Sequence, residues 1–464
     1  MKIVLFQPRY PYGKSQVYLP GGLMNLGSRL MQAGVGVSFF DLNLIEIDSD
    51  AVITALINTD EIGFSVLGPP YIDTVVGYIK WLRRHNFLQP VLVGGEGVAR
   101  LRHGDFKKWF SGLGEVVQAR GDEEIKRNLG LSALQSPFDT SMVSMLKWLT
   151  EESRRQYLTA EFALFLSDGC GFNCGFCAAL KDTKEKYRTT ASLRDELEYI
   201  CRYLKSVGHS ELKVYLSNLD ALQTVVELEE RLKDIWSAAL RFGITPHIRC
   251  LATSKYMFLA CRRDPKLPAR LYRYGVRIIA FGVDGADEET WKREHKTHNV
   301  LAEIETVTAI VLSVGITVEL LMVIGLQKDR PLALLRHLLF SFRKAFQGAV
   351  IRPYLGRSMT PSGRWPKETG YIPKKGEVVA RELEAQAFLE DASLLTRLDY
   401  TMLGSKETHP DWKERWLSNF VYLLIIGTLA PFGLCPTRPL FPVPRKGIGK
   451  LLARVVNRLM PFDR

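Results

Sequence analysis

Nowhere in the 464 residues do eighteen apolar residues follow one another, so no membrane-spanning helix is expected. The opening Met1-Lys2-Ile3-Val4-Leu5-Phe6 runs into Pro8 and is too short for the apolar stretch of a secretion signal, which places the expected location in the cytoplasm. Internal repeats and low-complexity tracts are absent. Histidine is scarce: the eight include no pair at metal-ligand spacing, and His295 and His298 read as the solvated face of a helix. Cysteine is scarce too, seven in all. Four of them, Cys201, Cys250, Cys261 and Cys435, sit apart among apolar neighbours, as buried free thiols do. A disulfide framework is therefore not expected. What remains is an ordinary globular composition, 46% hydrophobic and 24% charged, long enough for two or three domains.

The other three cysteines stand together in Cys170-Gly171-Phe172-Asn173-Cys174-Gly175-Phe176-Cys177, directly after the apolar run Phe162 to Leu166. Thiolates ligate iron in iron–sulfur clusters, and a cubane cluster ordinarily takes four of them. Three at the spacing C-x3-C-x2-C would hold a 4Fe-4S cluster and leave one iron open. Gly171 and Gly175 let the loop curl tightly around such a cluster. Zinc would need a fourth ligand, and the nearest candidates downstream are Cys201 and His209.

This loop resembles the signature of the radical S-adenosylmethionine (SAM) superfamily, including the aromatic Phe176 before the third cysteine. The resemblance implies that the amino and carboxylate groups of SAM chelate the open iron. Residues 161–356 read as a partial barrel of six parallel strands: Phe162–Leu166, Lys213–Leu216, His247–Ala252, Arg277–Val283, Thr317–Ile324 and Ala349–Pro353, with helical patterns between them. Active sites of such sheets lie at the carboxyl ends of the strands, where the cysteine loop falls. The resemblance implies SAM contacts from Phe176, from Ser217, Asn218 and Asp220 after the second strand, from Asp284 where the family usually has glutamate, and from Lys296 and Gly325.

Residues 1–130 read as a doubly wound, flavodoxin- or Rossmann-like parallel sheet, with strands at Ile3–Phe6, Gly36–Phe40, Ile62–Val66, Val91–Val93 and Val116–Gln118. Ligands on such sheets bind beyond the carboxyl ends of the strands. This region resembles the cobalamin-binding domain fused to many radical SAM enzymes, in Leu19-Pro20-Gly21-Gly22-Leu23, Asp41, Ser65, Val93-Gly94-Gly95 and Gly121-Asp122-Glu123-Glu124. The Asp-x-His-x-x-Gly motif that gives cobalt an imidazole is absent from the first turn, Pro8 to Gly13, as is usual in the radical SAM branch. The implied cobalamin contacts are Pro20, Ser65, Val66, Gly94, Gly95, Glu96 and Gly121.

A connector, 131–160, carries Pro137 and a helical Met142–Leu149 stretch. Residues 357–464 read as a mostly helical, substrate-shaping region. Phe420 to Ala430 is the most apolar run, either a core helix or the wall of a greasy pocket, and Leu383 to Leu398 has helical spacing. Between Cys435 and Arg464 seven basic residues face one acid, half of the total charge of +12. In Lys446–Phe462 an apolar stripe (Ile448, Leu451, Leu452, Val455, Val456, Leu459, Met460) lies opposite Lys446, Lys450, Arg454 and Arg458, the pattern of a helix lying on an anionic membrane.

Together these features lead to the expectation of a cobalamin-dependent radical SAM enzyme that methylates an unactivated carbon of a hydrophobic or lipid-like substrate. Its expected partners are that substrate, an electron donor such as flavodoxin or ferredoxin, and the inner face of a membrane through the terminal helix; no nucleic acid is expected. Three alternatives stand beside it: a radical SAM enzyme of ring formation, ring contraction or C–C coupling, a radical SAM enzyme whose N-terminal domain binds nothing, and a non-catalytic iron–sulfur binding or sensing protein.

Overall fold

The computed structural model describes residues 1–9, 18–67, 70–99, 106–107, 109–172, 174, 184–325, 331–355 and 412–436. Strands β1 (Lys2–Gln7), β2 (Gly36–Asp41), β3 (Glu61–Ser65), β4 (Val91–Gly94) and β5 (Val116–Ala119) form a parallel sheet in the order β2-β1-β3-β4-β5. The run Ile3-Val4-Leu5-Phe6 is apolar at every position because both faces of β1 are covered. Val4, Phe6, Ile62 and Phe64 pack into one core, whereas Ile3, Leu5, Val37 and Phe39 join a second core that continues into the rest of the chain.

That continuity runs through the connector. Helix Gly21–Gln32 packs on helix Val143–Trp148 so closely that a Cβ on Gly27 would lie 2.7 Å from the Met145 sulfur. The next helix, Glu151–Leu158, places the buried Tyr157 hydroxyl 2.5 Å from Asp41 Oδ2, to which it donates. Asp41, matched by resemblance to a cobalamin-domain position, thus ties β2 to the connector. On the far side, buried Arg188 pairs with buried Glu196 at 2.7 Å and donates to Thr140 O at 3.1 Å. Glu196 also accepts from Met142 N at 2.9 Å, so one ion pair holds two points of the connector.

Next come β6 (Phe162–Phe165), β7 (Ser167–Asp168), β8 (Lys186–Tyr187), β9 (Glu211–Ser217), β10 (Thr245–Ala252), β11 (Val276–Gly282), β12 (Thr317–Ile324) and β13 (Val350–Leu355). Six of them form a second parallel sheet, β13-β12-β11-β10-β9-β6, in which every neighbour is consecutive apart from the interposed β7–β8 pair. Alternation sets its two faces: in β9, Leu212, Val214 and Leu216 are buried, while Lys213, Tyr215 and Ser217 turn to the other side. The amphipathic helices Thr190–Ser206 and Val225–Arg241 follow the same logic, each burying one stripe of leucine and isoleucine.

The α/β architecture with parallel sheets is as expected. The short antiparallel pair β7–β8, which closes the base of the cysteine segment, was not legible in the sequence. The histidine reading is corrected: the helix ends at Arg293, His295 has φ +52°, and His298 stacks on Phe172 with ring centroids 3.8 Å apart. A glycine-free turn and an aromatic partner, rather than a solvated helix face, account for the pair. Helix Trp412–Leu429 packs on helix Pro331–Phe346 and β13, burying Val421, Tyr422, Ile425, Ile426 and Leu429. Phe420–Ala430 is therefore a packed helix and not an open pocket wall. The expected helices in 383–398 and 446–462 lie outside the described residues. No helix among the described residues is long and apolar enough to cross a membrane.

Candidate functional site

The cysteine segment leaves the carboxyl end of β6. Leu166 N donates to Ser217 O of β9 at 3.2 Å, and Ser167 Oγ donates to Glu185 Oε1 at 2.7 Å. Gly169 has φ +110°, and a Cβ there would fall 2.5 Å from Lys184 O, so only glycine lets the two arms of the segment meet. Gly171 N donates to Gln223 Oε1 at 2.7 Å, and the Phe172 ring lies between Tyr256, at 5.0 Å between centroids, and His298. Cys170 is buried and Cys174 partly buried, while Phe176 and Cys177 lie outside the described residues. Two of the three thiols thus stand at the carboxyl end of the second sheet, on backbone pinned by Gln223 and by aromatic packing.

The turn after β9 lies alongside. Asp220 is 1% exposed; its Oδ1 accepts from Leu222 N at 3.1 Å and Thr253 N at 3.3 Å, and its Oδ2 has no partner among the described residues. Burial pushes its pKa up to about 6. Glu185 is likewise raised, chiefly by burial, and so is the Tyr256 hydroxyl. A dry corner holding a carboxyl oxygen with nothing to bond favours a ligand that brings a donor or a cation. Asn218, by contrast, is buried in its own turn: with its amide oriented to suit its neighbours it donates to Leu216 O and accepts from Ala221 N, both at 3.0 Å. Ser217 ends β9 half-buried beside it.

At the end of β11 the expected contacts Asp284 and Lys296 prove to be each other's partners. They form a buried ion pair, and Asp284 sits at φ +48° with its N–H on Leu321 O at 2.9 Å. Trp291 Nε1 and Asn299 Nδ2 both donate to Val283 O, at 2.8 and 2.7 Å, and fix the turn from which Asp284 projects. Buried His337 accepts from Ala286 N at 2.9 Å through Nδ1. Sequence reasoning treated Asp284 and Lys296 as separate positions because twelve residues separate them; only the turn through Trp291 brings them together. Gly325 is buried after β12 with φ +79°.

In the first sheet, Ser65, Val66, Gly94 and Gly95 all lie at the carboxyl ends of β3 and β4, and Gly121 at that of β5. Pro20 precedes helix Gly21–Gln32, and Glu96 opens the short helix Glu96–Ala99. Gly95 does not offer open space: its φ is +97°, and a Cβ would fall 2.5 Å from Val66 O. Its bareness serves the close approach of two turns, where Val66 N donates to Gly94 O at 2.7 Å and Gly97 N to Val66 O at 2.9 Å. Gly121, unlike Gly94 and Gly95, has nothing within 4 Å of its absent Cβ and faces free space.

No protein-family model matches the chain, and no curated protein sequence matches it. Solved structures do match the fold. TsrM from Kitasatospora setae, a radical SAM methyltransferase with cobalamin and a [4Fe-4S] cluster bound, superposes with a TM-score of 0.55 at 15% identity, over 76% of this chain and 74% of that one. TsrM with tryptophan and a SAM analogue bound gives a TM-score of 0.57 at 15% identity, over 76% and 73%. The cobalamin-dependent radical SAM enzyme OxsB with aqua-cobalamin gives 0.57 at 15% identity, over 84% of this chain and 56% of that one. At such identities the likeness is one of fold, and the fold of this chain is that of the cobalamin-binding radical SAM structures.

Proposed function

We propose that the chain is a cobalamin-dependent radical SAM enzyme that transfers a methyl group to an unactivated carbon. The observation that carries the proposal is a coincidence of place. The C-x3-C-x2-C loop leaves the carboxyl end of the first strand of a six-stranded parallel sheet, in a chain whose fold is shared with TsrM and OxsB. In this reading residues 1–130 are the cobalamin-type domain, 131–160 a connector, 161–356 a partial radical SAM barrel, and 357–464 the region that shapes substrate access. When bound, the cluster with SAM and the cobalamin supply the hydrogen-abstracting radical and the transferable methyl group, respectively.

The chain's own residues fit those groups. Cys170, Cys174 and Cys177 supply three thiolates and leave one iron for a ligand. Asp220, buried with one oxygen unpaired, suits the ammonium of SAM, with Ser217 and Asn218 beside it. Asp284, held by Lys296, would offer its carboxylate to ribose hydroxyls, and Gly325, with Phe176 by resemblance, would serve the adenosine. Pro20, Ser65, Val66, Gly94, Gly95, Glu96 and Gly121 border the cobalamin edge, with Gly121 facing the open side.

A hydrophobic, membrane-derived substrate is the reading that the basic apolar stripe of 446–462 supports, with an external flavodoxin or ferredoxin as electron source. The test is anaerobic turnover with SAM carrying a deuterated methyl group and a membrane-lipid extract. Transfer of the label to carbon supports the proposal. SAM cleavage with an unlabelled, rearranged product would assign the chain to another radical reaction, and no cleavage at all would favour a sensing role.

A further inference from the structure

A row of large apolar side chains is exposed on the outer layer of the second sheet. On helix Pro331–Phe346, Leu332, Leu335, Leu339 and Phe346 are 48–84% exposed and recur at i, i+3, i+7 and i+14, so they form one stripe. The other side of that helix carries the buried Ala333, Leu334, His337, Phe340 and Ser341. Its neighbour, helix Trp412–Leu429, is built the same way: Trp416 and Phe420, one turn apart, are 64% and 60% exposed, opposite the buried Tyr422, Ile425 and Leu429. Both helices pack on β13 and on each other, so both stripes turn outward on the same side. A single exposed leucine is ordinary, but a continuous row on two neighbouring helices marks a surface that something covers.

Charge and chain direction indicate what covers it. Helix Pro331–Phe346 contains no acid, and helix Trp412–Leu429 only Glu414. Arg336 and Arg343 border the first stripe but are paired with Asp287 and Glu305, so the stripe offers apolar area and not a free charge. Both helices end beside the start of β13: Val350 opens that strand just after Phe346, and Ile351 N donates to Leu434 O at 2.8 Å. At this end stand Phe346 and Phe432, 84% and 75% exposed, the two most exposed large apolar side chains among the described residues. The chain passes Pro436 at the same end, and Lys446 follows ten residues later (446 − 436), a link of at most about 35 Å. With Lys446 begins the sequence in which an apolar stripe lies opposite lysines and arginines.

We infer that this outer face docks on an anionic phospholipid bilayer. The helices at Pro331–Phe346 and Trp412–Leu429 supply the apolar area that enters the interface, and 446–462 supplies the electrostatic attraction. One such signal gives marginal, reversible binding, and two together give a stable anchor. A second copy of the chain fits this face less well. The segment 435–464 leaves from its edge with seven basic residues against one acid, and a two-fold contact would bring two such segments together. That the partner is a lipid surface rests on the proposed reading of a membrane-derived substrate; that the face is apolar, exposed and poor in acids does not.

The experiment places a quencher inside the bilayer. Full-length protein is mixed with vesicles of phosphatidylcholine and phosphatidylglycerol carrying brominated acyl chains. Trp416 is read as the difference between the parent and Trp416→Phe, which cancels the other seven tryptophans. Its emission should shift to the blue and be quenched severalfold more than theirs. Leu335→Asp with Leu339→Asp, 446–464 being intact, should weaken vesicle binding at least about tenfold at an unchanged melting temperature. Should the aspartates unfold the protein, the paired alanine variant should weaken binding severalfold. Unquenched Trp416 on vesicles that bind the protein, or full-strength binding by the face variants, would overturn the inference and leave 446–462 as the sole anchor. A dimer that the aspartates break, with Trp416 unquenched, would make a second copy the occupant. Greater access of iodide to Trp416 after deletion of 446–464, measured without vesicles, would make that segment the occupant. An intact protein that binds no vesicle would overturn this inference and the terminal anchor together. Quenching at Trp416 without methyl transfer to any membrane lipid would sink the substrate reading and leave this one standing.

Discussion

Replacing Asp220 by Asn sets stability against function. The carboxyl is 1% exposed, with one oxygen satisfied by Leu222 N and Thr253 N and the other unpartnered. Burial raises its pKa from the ordinary 3.8 to about 6, so the folded protein binds the proton more tightly than the unfolded chain. The sign follows. Asp220 is harmless to stability below about pH 4; its penalty builds as pH rises from about 4 to about 6 and is constant above that. A shift of that size corresponds to roughly 3 kcal/mol at pH 8. Asn keeps the oxygen that accepts from the backbone and never ionises, so it removes the penalty. Urea unfolding of the full-length protein should find Asp220→Asn more stable by about 1–3 kcal/mol at pH 8 and equal to the parent at pH 4. The same variant should bind SAM at least about tenfold more weakly, because the charge proposed to meet the ammonium is gone. A loss of stability at pH 8, larger than at pH 4, would refute the reasoning, since it would mean that the carboxylate is already paired in the folded protein.

Three further outcomes follow from the geometry. Gly95→Ala should cost about 2 kcal/mol or more, because φ +97° is strained for alanine and the new Cβ meets the Val66 backbone. Gly94→Ala, whose Cβ would meet Ala119 O at an ordinary 3.4 Å, should cost under about 1 kcal/mol; thermal unfolding of the two variants gives the comparison. Glu196→Leu, which strands buried Arg188, should lose about 3–5 kcal/mol by urea denaturation and loosen the connector at Thr140 and Met142, read by hydrogen exchange. Deleting 446–464 should abolish sedimentation with anionic vesicles, to which each basic residue near the surface adds about 1 kcal/mol; unchanged sedimentation would make that segment structural.

Much of this molecule was legible because apolar runs in parallel sheets are continuous and turn residues punctuate them. Ile3–Phe6 and Thr317–Ile324 announce their strands in that way, and β12 spans Thr317–Ile324 in the structure. The cysteine loop was legible from spacing alone. What stayed hidden depends on pairing across distance. Asp284, Lys296 and Asp41 stood out by resemblance, but that Asp284 meets Lys296, Asp41 meets Tyr157, and Glu319 meets Arg249 and Arg352 was not visible, because the partners are far apart in sequence. His298 was misread because its partner, Phe172, lies 126 residues upstream, on the cysteine loop itself. Gly95 stood out only as a cobalamin contact implied by resemblance; its missing side chain answers the backbone of the neighbouring turn.

The central claim is that the loop at Cys170, Cys174 and Cys177 holds a cluster with one iron open to SAM, next to a cobalamin-binding sheet. Anaerobic purification with iron, sulfide and corrinoid analysis, followed by reduction in the presence of SAM, tests it directly against the triple Cys→Ala variant. The expected result is about four irons and one corrinoid per chain, cleavage of SAM to 5′-deoxyadenosine, and loss of iron and cleavage together in the variant. A variant that retains about four irons, or an intact cluster that never cleaves SAM, would contradict it.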